Sequence, residues 1–342
     1  MEKKHILVTI PLSQEQRDAL EQEGAQVRFR LGEALPSGRG GTLPFPQLLP
    51  AEPVTEEDMA WAEAILGNVA PELLKKAPRL EWMQTSSAGV EPYLHPGLLR
   101  PETALTNATG AYGLAISEHM LGMLLMVFKK LELYRDAQRR EDWASQGQVR
   151  TLLGSVVLAM GLGDIGGDFA RLCKAMGAYV IGLRRTPGPK PAFVDELHLT
   201  GELDSLLPRA DVVAVTLPGT PRTRGMLSRE RIALMKEGAV LLNVGRGYVV
   251  DTEALCDALE SGCLGGAGLD VTDPEPLPPG HRLWQLPTAV VTPHVSGGYH
   301  LWETHERIAA IFAENLRRFL HGEPLKNQVD PASGYRRRDD ST

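Results

Sequence analysis

Residues 155–166 read SVVLAMGLGDIG, and their reading decides the fold. Val156, Val157, Leu158 and Met160 form a short apolar run that enters Gly161-Leu162-Gly163-Asp164-Ile165-Gly166 directly. A helical pattern follows from Asp164 to Met176 and stops at Gly177, and a second apolar run fills Ala178–Leu183. This is strand, glycine turn, helix and strand at the length of one βαβ unit. Gly161 suits the tight turn, Gly163 lets the backbone approach a pyrophosphate, and Gly166 lets the helix pack close to the strand. The first N–H groups of the helix, at Asp164 and Ile165, would face the phosphates. The stretch predicts a dinucleotide-binding turn.

The same alternation extends both ways. Upstream, strands are predicted at His5–Ile10, Gln26–Arg30, Ala64–Leu66 and Glu81–Thr85. Helices are predicted at Gln14–Glu23, with Ser13 as N-cap and Gly24 as stop, and at Pro71–Lys76. Residues 32–53, rich in Gly and Pro, read as an exposed loop. Gly113 to about Arg140 reads as one long helix, apolar nearly all round in its middle, and so a core element or a subunit contact. Downstream strands are expected at Asp211–Leu217, Ala239–Val244, Gly266–Val271 and Ala289–Val291. The helices between them are Leu203–Pro208, Arg229–Met235 and Thr252–Ser261. A last helix, Leu301–Leu320, should return to the first domain, and residues 333–342 read as a disordered tail.

The chain has 342 residues, 43% hydrophobic and 23% charged, with a net charge of −7. That is room for two cores. Without a long basic run, nucleic acid and anionic membranes are poor partners. The apolar stretch Met120–Phe128 is too short to span a bilayer, and the N-terminus offers no signal-peptide core, so a cytoplasmic location is expected. Cys173, Cys256 and Cys263 form no CxxC pair. No metal site is expected, and all three read as small buried apolar groups.

Three polar residues follow predicted strand ends downstream of the glycine turn. Arg246 lies in NVGRG, Glu275 in DVTDPEPLP and His294 in VTPHVSGG. In open parallel sheets the C-terminal strand ends line the ligand crevice. A guanidinium binds a carboxylate and polarises a neighbouring carbonyl. A histidine can give or take the proton at that oxygen, and a carboxylate beside an imidazole favours its charged form. Together they fit hydride transfer between a nicotinamide and a 2-keto acid.

These segments resemble the D-isomer-specific 2-hydroxyacid dehydrogenase family. The resemblance runs from about Leu7 to Asp330 through GLGDIG, NVGRGYVVDTEAL, GLDVTDPEPLP, TPHVSG and IFAENLRRFLHGEPLKNQVD. It implies an α/β protein of two domains, each a parallel sheet flanked by helices. A Rossmann-type cofactor domain (109–297) is inserted into a discontinuous flavodoxin-like substrate domain (1–108 and 298–332), and the assembly is a homodimer. By position, Arg246 resembles the substrate-orienting arginine, Glu275 the carboxylate partnered with the catalytic histidine, and His294 that acid/base. Asp270 resembles the aspartate near the nicotinamide carboxamide, while Thr216, Pro218 and Val244 fall among the cofactor contacts. The segment Ser86–Glu91 resembles the loop whose N–H groups hold the substrate carboxylate, with Ala88 and Gly89 as donors. Glu91 replaces the usual aspartate, and Gly297-Gly298-Tyr299-His300 departs from the common Thr-Pro pair.

The strand Ala178–Leu183 ends in Arg184-Arg185-Thr186, where NAD-preferring sites carry an acid. Two guanidiniums and a hydroxyl favour a 2′-phosphate, so NADP(H) is the expected cofactor, with NAD(H) as the alternative. The expected reaction is reduction of a small 2-keto acid, with glyoxylate or hydroxypyruvate among the candidates. Two alternatives stand beside it: a 3-phosphoglycerate dehydrogenase-like enzyme, and a non-catalytic NAD(H)-sensing protein of corepressor type.

Overall fold

The computed structural model describes residues 3–30, 53–297, 301–331 and 333–335. The expected loop over 32–53 and the tail over 333–342 fall almost wholly outside these residues, as do positions 298–300. The chain divides into two compact units, Met1–Tyr112 with Tyr299–Thr342, and Gly113–Gly298.

The first unit holds β1 (His5–Val8), α1 (Gln14–Gln22), β2 (Gln26–Phe29), α2 (Glu56–Trp61), β3 (Ala64–Leu66), β4 (Trp82–Gln84) and β5 (Ala104–Thr106). Its sheet is parallel in the order β2-β1-β3-β4-β5, the flavodoxin-like order. Ser13 starts α1 with a reciprocal cap. Its hydroxyl accepts the Gln16 N–H at 3.2 Å, and the Gln16 side chain accepts the Ser13 N–H at 2.9 Å. Thr55 caps α2 in the same way through Asp58. The segment Pro71–Lys76, expected as an α-helix, is a 3₁₀ turn, a form common in short connectors.

The second unit holds α3 (Gly113–Lys129), α4 (Leu131–Arg139), β6 (Val156–Met160), α5 (Asp164–Ala175), β7 (Tyr179–Arg184) and β8 (Glu196–Leu199). It continues through α6 (Leu203–Leu206), β9 (Val212–Val215), α7 (Arg229–Ala233), β10 (Ala239–Asn243), α8 (Thr252–Glu260), β11 (Leu264–Leu269) and β12 (Ala289–Val291). All seven strands are parallel in the order β12-β11-β10-β9-β6-β7-β8. Read from the other edge, that is the doubly wound Rossmann order with one further strand. The strand order reverses its progression between β6 and β9, beside the glycine turn. The last helix, α9 (Trp302–His321), belongs to the first unit and ends at Gly322, whose φ is +68°.

The single helix expected over 113–140 is two helices. Lys130 takes a left-handed backbone with φ 56°. The Phe128 carbonyl, which a continuous helix would spend on Glu132, instead accepts the N–H of Arg150 at 2.9 Å. The Lys129 ammonium caps the Arg150 carbonyl at 2.6 Å. A distant segment therefore breaks the helix. A second correction concerns Cys263. Cys173 and Cys256 are buried as expected, and burial alone pushes the Cys173 thiol up to about 12. Cys263 is exposed because it sits in the turn between α8 and β11, where its carbonyl serves the Gly238 N–H.

Candidate active site

The glycine turn joins β6 to α5. Gly161 has φ 103°, and a side chain there would strike the Thr216 hydroxyl. A Cβ on Gly166 would fall 2.1 Å from the Gly161 carbonyl oxygen. Both glycines are thus required by the protein's own packing. Gly163 differs, because a Cβ there would meet nothing within 4 Å. It is the exposed N-cap of α5, and no side chain makes a capping hydrogen bond there. Open space before a bare helix start fits a diphosphate. Asp164 turns its carboxylate to the Gly113 N–H at 3.1 Å, leaving its own main chain in the first turn beside the half-buried Ile165. Thr216 follows β9 and donates to the Met160 and Gly161 carbonyls, at 3.2 and 3.3 Å. The Pro218 carbonyl accepts the Thr223 hydroxyl at 2.7 Å.

Arg246, Glu275 and His294 follow β10, β11 and β12, which are adjacent in the sheet. Buried Asn243, at the end of β10, shapes the first turn. Its amide donates to the Arg246 carbonyl at 3.0 Å, and its oxygen accepts the Gly245 N–H at 3.0 Å. Val244 is held against β9 by its N–H on the Val215 carbonyl. The next turn presses on this one, since a Cβ on Gly247 would lie 1.9 Å from the Thr272 carbonyl oxygen. Glu275 then reaches His294, its Oε1 lying 2.6 Å from Nδ1. A carboxylate only accepts, so Nδ1 carries the hydrogen and Nε2 is the ring nitrogen outside this pair.

Asp270 organises the His294 turn. Its Oδ1 accepts the Thr292 hydroxyl at 2.6 Å and the Val295 N–H at 2.9 Å. Its Oδ2 accepts the N–H and hydroxyl of Ser296. Burial works against the charge, but hydrogen bonds from Ser296, Thr292 and Val295 outweigh it and hold the carboxyl below its ordinary range. The Asp270 carbonyl also accepts the His294 N–H at 2.8 Å.

Within the first unit, the loop after β4 turns its carbonyls inward. Ser86 oxygen accepts the Tyr112 hydroxyl, Ser87 oxygen the Ala108 N–H, Ala88 oxygen the Asn107 amide, and Gly89 oxygen the Ser87 hydroxyl. Among the described residues nothing accepts the N–H of Ala88 or of Gly89. Two unspent donors in one turn are the kind of group an anion would need. At the end of β7 the two arginines part company. Arg184 folds over its own loop and donates to the Pro189 carbonyl at 3.2 Å, whereas Arg185 is exposed beside half-buried Thr186.

The family profile described as D-isomer specific 2-hydroxyacid dehydrogenase, NAD binding domain, matches residues 121–296. The glyoxylate/hydroxypyruvate reductase B of Pectobacterium carotovorum is 31% identical over 283 residues, 80% of this chain and 87% of that protein. The chain belongs to the D-isomer specific 2-hydroxyacid dehydrogenase family. A solved family structure from Xanthobacter autotrophicus, in complex with NADPH and MES, aligns with a TM-score of 0.77 and 29% identity, covering 98% of this chain and all of that one. The D-3-phosphoglycerate dehydrogenase of Mycobacterium tuberculosis is 32% identical over 268 residues, 78% of this chain but only 50% of that protein.

Beyond the expected residues, the structure brings Asn243, Thr292, Ser296 and His119 to the site of this family member. The signal for Asn243 was a polar residue closing an otherwise apolar strand. Thr292 stands two residues before His294. Nothing in the sequence ties His119, 173 positions from Thr292, to either.

Proposed function

We propose that the chain reduces a small 2-keto acid to the D-2-hydroxy acid, with His294 as proton donor, and that it favours NADP(H) over NAD(H). The observation that carries this reading is the Glu275–His294 bond beside the Arg246 turn, at the C-terminal ends of three neighbouring strands. When bound, the nicotinamide would supply a hydride to the keto carbon. Arg246 polarises the carbonyl and pairs with the carboxylate. Glu275 fixes the imidazole so that Nε2 delivers the proton to the oxygen that becomes the hydroxyl. The N–H groups of Ala88 and Gly89 are the proposed donors to the carboxylate. Gly161, Gly163 and Gly166 with the first turn of α5 would hold the diphosphate, and Asp270, Thr216, Pro218 and Val244 would border the nicotinamide half. Arg185 and Thr186 carry the NADP(H) preference, and Arg184 would help by stiffening their loop.

Glyoxylate and hydroxypyruvate head the substrate candidates, in keeping with the Pectobacterium relative. A homodimer is the proposed assembly. NADPH and NADH oxidation, followed with a panel of keto acids, tests the whole reading. Turnover with a ratio of kcat/KM for NADPH over NADH above one supports it. Tight dinucleotide binding with no turnover of any keto acid would favour the sensing alternative, for which a paired histidine and glutamate have no use.

A further inference from the structure

The His294 turn is tied to α3 by a chain of hydrogen bonds that begins at His119. His119 Nε2 lies 3.0 Å from the Thr292 hydroxyl oxygen, and that hydroxyl lies 2.6 Å from Asp270 Oδ1. The carboxylate is ionised and can only accept, so the single Thr292 proton points at Asp270. Thr292 must then accept from His119, which fixes the hydrogen on Nε2. Both the neutral Nε2–H ring and the imidazolium can make this bond. His119 Nε2 also lies 3.9 Å from Asp270 Oδ1, close enough to support the same carboxylate electrostatically.

What the chain holds is the backbone carrying the proton donor. Thr292 N–H is bonded to Leu269, His294 N–H to Asp270 and Thr292 carbonyls, and Val295 and Ser296 N–H to the Asp270 carboxylate. His294 itself has φ 53°, a left-handed backbone unusual for a residue with a side chain. Such a conformation persists only where neighbours over-determine it. Asp270 supplies most of that constraint. Thr292 and His119 set the direction of its carboxylate.

We infer that His119 and Thr292 are positioning residues for the reaction, acting through Asp270 to hold His294 in register with Glu275. The inference rests on the reading of His294 as proton donor. Both side chains spend their bonds on this chain and neither is among the proposed substrate contacts, so their loss should lower kcat and leave the keto-acid KM close to the parent value.

The decisive set is Thr292→Val, Thr292→Ser, His119→Leu and His119→Gln, each purified as the full chain and checked for folding by circular dichroism. Thr292→Val and His119→Leu should each lower kcat about tenfold, the order expected for losing one hydrogen bond from a half-buried chain that ends on a carboxylate. Thr292→Ser restores the hydroxyl and His119→Gln an amide donor, so both should return most of the rate. The double variant His119→Leu/Thr292→Val should be no worse than the poorer single variant, because both cut one chain. Ring-15N histidine NMR of the protein without added substrate gives a reading independent of turnover. His119 should show a proton-bearing Nε2 in the parent, and the His294 ring signals should move in Thr292→Val but not in Thr292→Ser. Parent-like kcat and unmoved His294 signals in Thr292→Val would overturn the inference, as would additive losses in the double variant. A parent protein that turns over no keto acid would instead defeat the reading of the reaction, with the NMR comparison still judging the relay.

Discussion

A left-handed histidine costs about 1–3 kcal/mol, so the fold must gain something by keeping His294 at φ 53°. The gain is direction, because the ring leaves the turn toward Glu275 instead of following β12 onward. Asparagine tolerates the same backbone region well. His294→Asn should therefore fold with a melting temperature close to the parent's while losing the proton donor, and kcat should fall ~10²–10⁴-fold, the usual contribution of a general acid. Steady-state kinetics beside a thermal melt separates the two effects. Near-parental turnover at pH 7 would remove His294 from the chemistry. The same scale explains why Arg184 and Arg185 could not be told apart in the sequence. Arg184 ends β7 and Arg185 follows at once, and only the fold shows that one guanidinium closes on Pro189.

Elements are joined by buried charge in the first unit. Asp58, on α2, is fully buried and accepts from Arg28 Nη1 at 2.7 Å and from Arg30 Nε and Nη2 at 2.7 Å each, so it ties α2 to β2. Desolvation opposes its charge, yet the bonds from Arg30, Thr55 and Arg28 outweigh it and push the carboxyl far below its ordinary range. Asp58→Asn should cost about 3 kcal/mol, the low end for breaking a buried ion pair, because both arginines keep some contact with water. The sign in pH follows from the depressed value. The carboxylate's contribution is complete above the unfolded aspartate pKa of about 3.9 and fades as pH falls through the lower folded value. Urea melts of parent and variant should thus differ by a constant amount from pH 5 to 8 and converge below pH 4. An unchanged gap in acid would refute the ionised clamp. At this scale the sequence was most legible where a pattern is local. The run 155–183 carries its own turn, caps and apolar faces, and the observed β6, α5 and β7 match it within a residue or two. Strand β8 escaped because Glu196-Leu-His-Leu199 is short, polar and at the sheet edge. The break at Lys130 escaped because its cause, Arg150, lies twenty residues away. Arg246, Glu275 and His294 could be picked out because each follows a strand end. Asn243 acts within its own turn and was signalled only by its place at the strand end, whereas Thr292 and His119 work through partners that only folding brings near.

Among the described residues several large apolar side chains meet water, and one group of them lies on α4 and the segment that follows it. Trp143 is completely exposed, and Leu131 and Tyr134 on α4 are 49% and 37% exposed. Trp143 and Tyr134 line a hollow of about 520 Å³ with Gln138 and Ser145. The segment bearing the tryptophan is nonetheless tied down. Lys130 Nζ donates to the Gln146 carbonyl at 2.6 Å, and the Gln146 N–H meets the Tyr134 hydroxyl at 3.1 Å. A tryptophan in full contact with water, on a segment so held, is what an interface anchor looks like before its partner arrives. In a two-fold dimer the same patch is used twice, so one indole per chain gives two buried anchors. Each would remove about 200 Å² from water, worth about 5 kcal/mol as an upper figure, and the pair offsets an association cost of about 4–15 kcal/mol. Trp143→Ser should weaken self-association by at least about 100-fold, since two hot-spot contacts vanish together. The monomer should lose little stability, because the side chain touches so little of its own fold. Sedimentation equilibrium from nanomolar to micromolar protein decides it. A parent that stays monomeric throughout, or a variant with the parent's dissociation constant, would show that this face serves some other end.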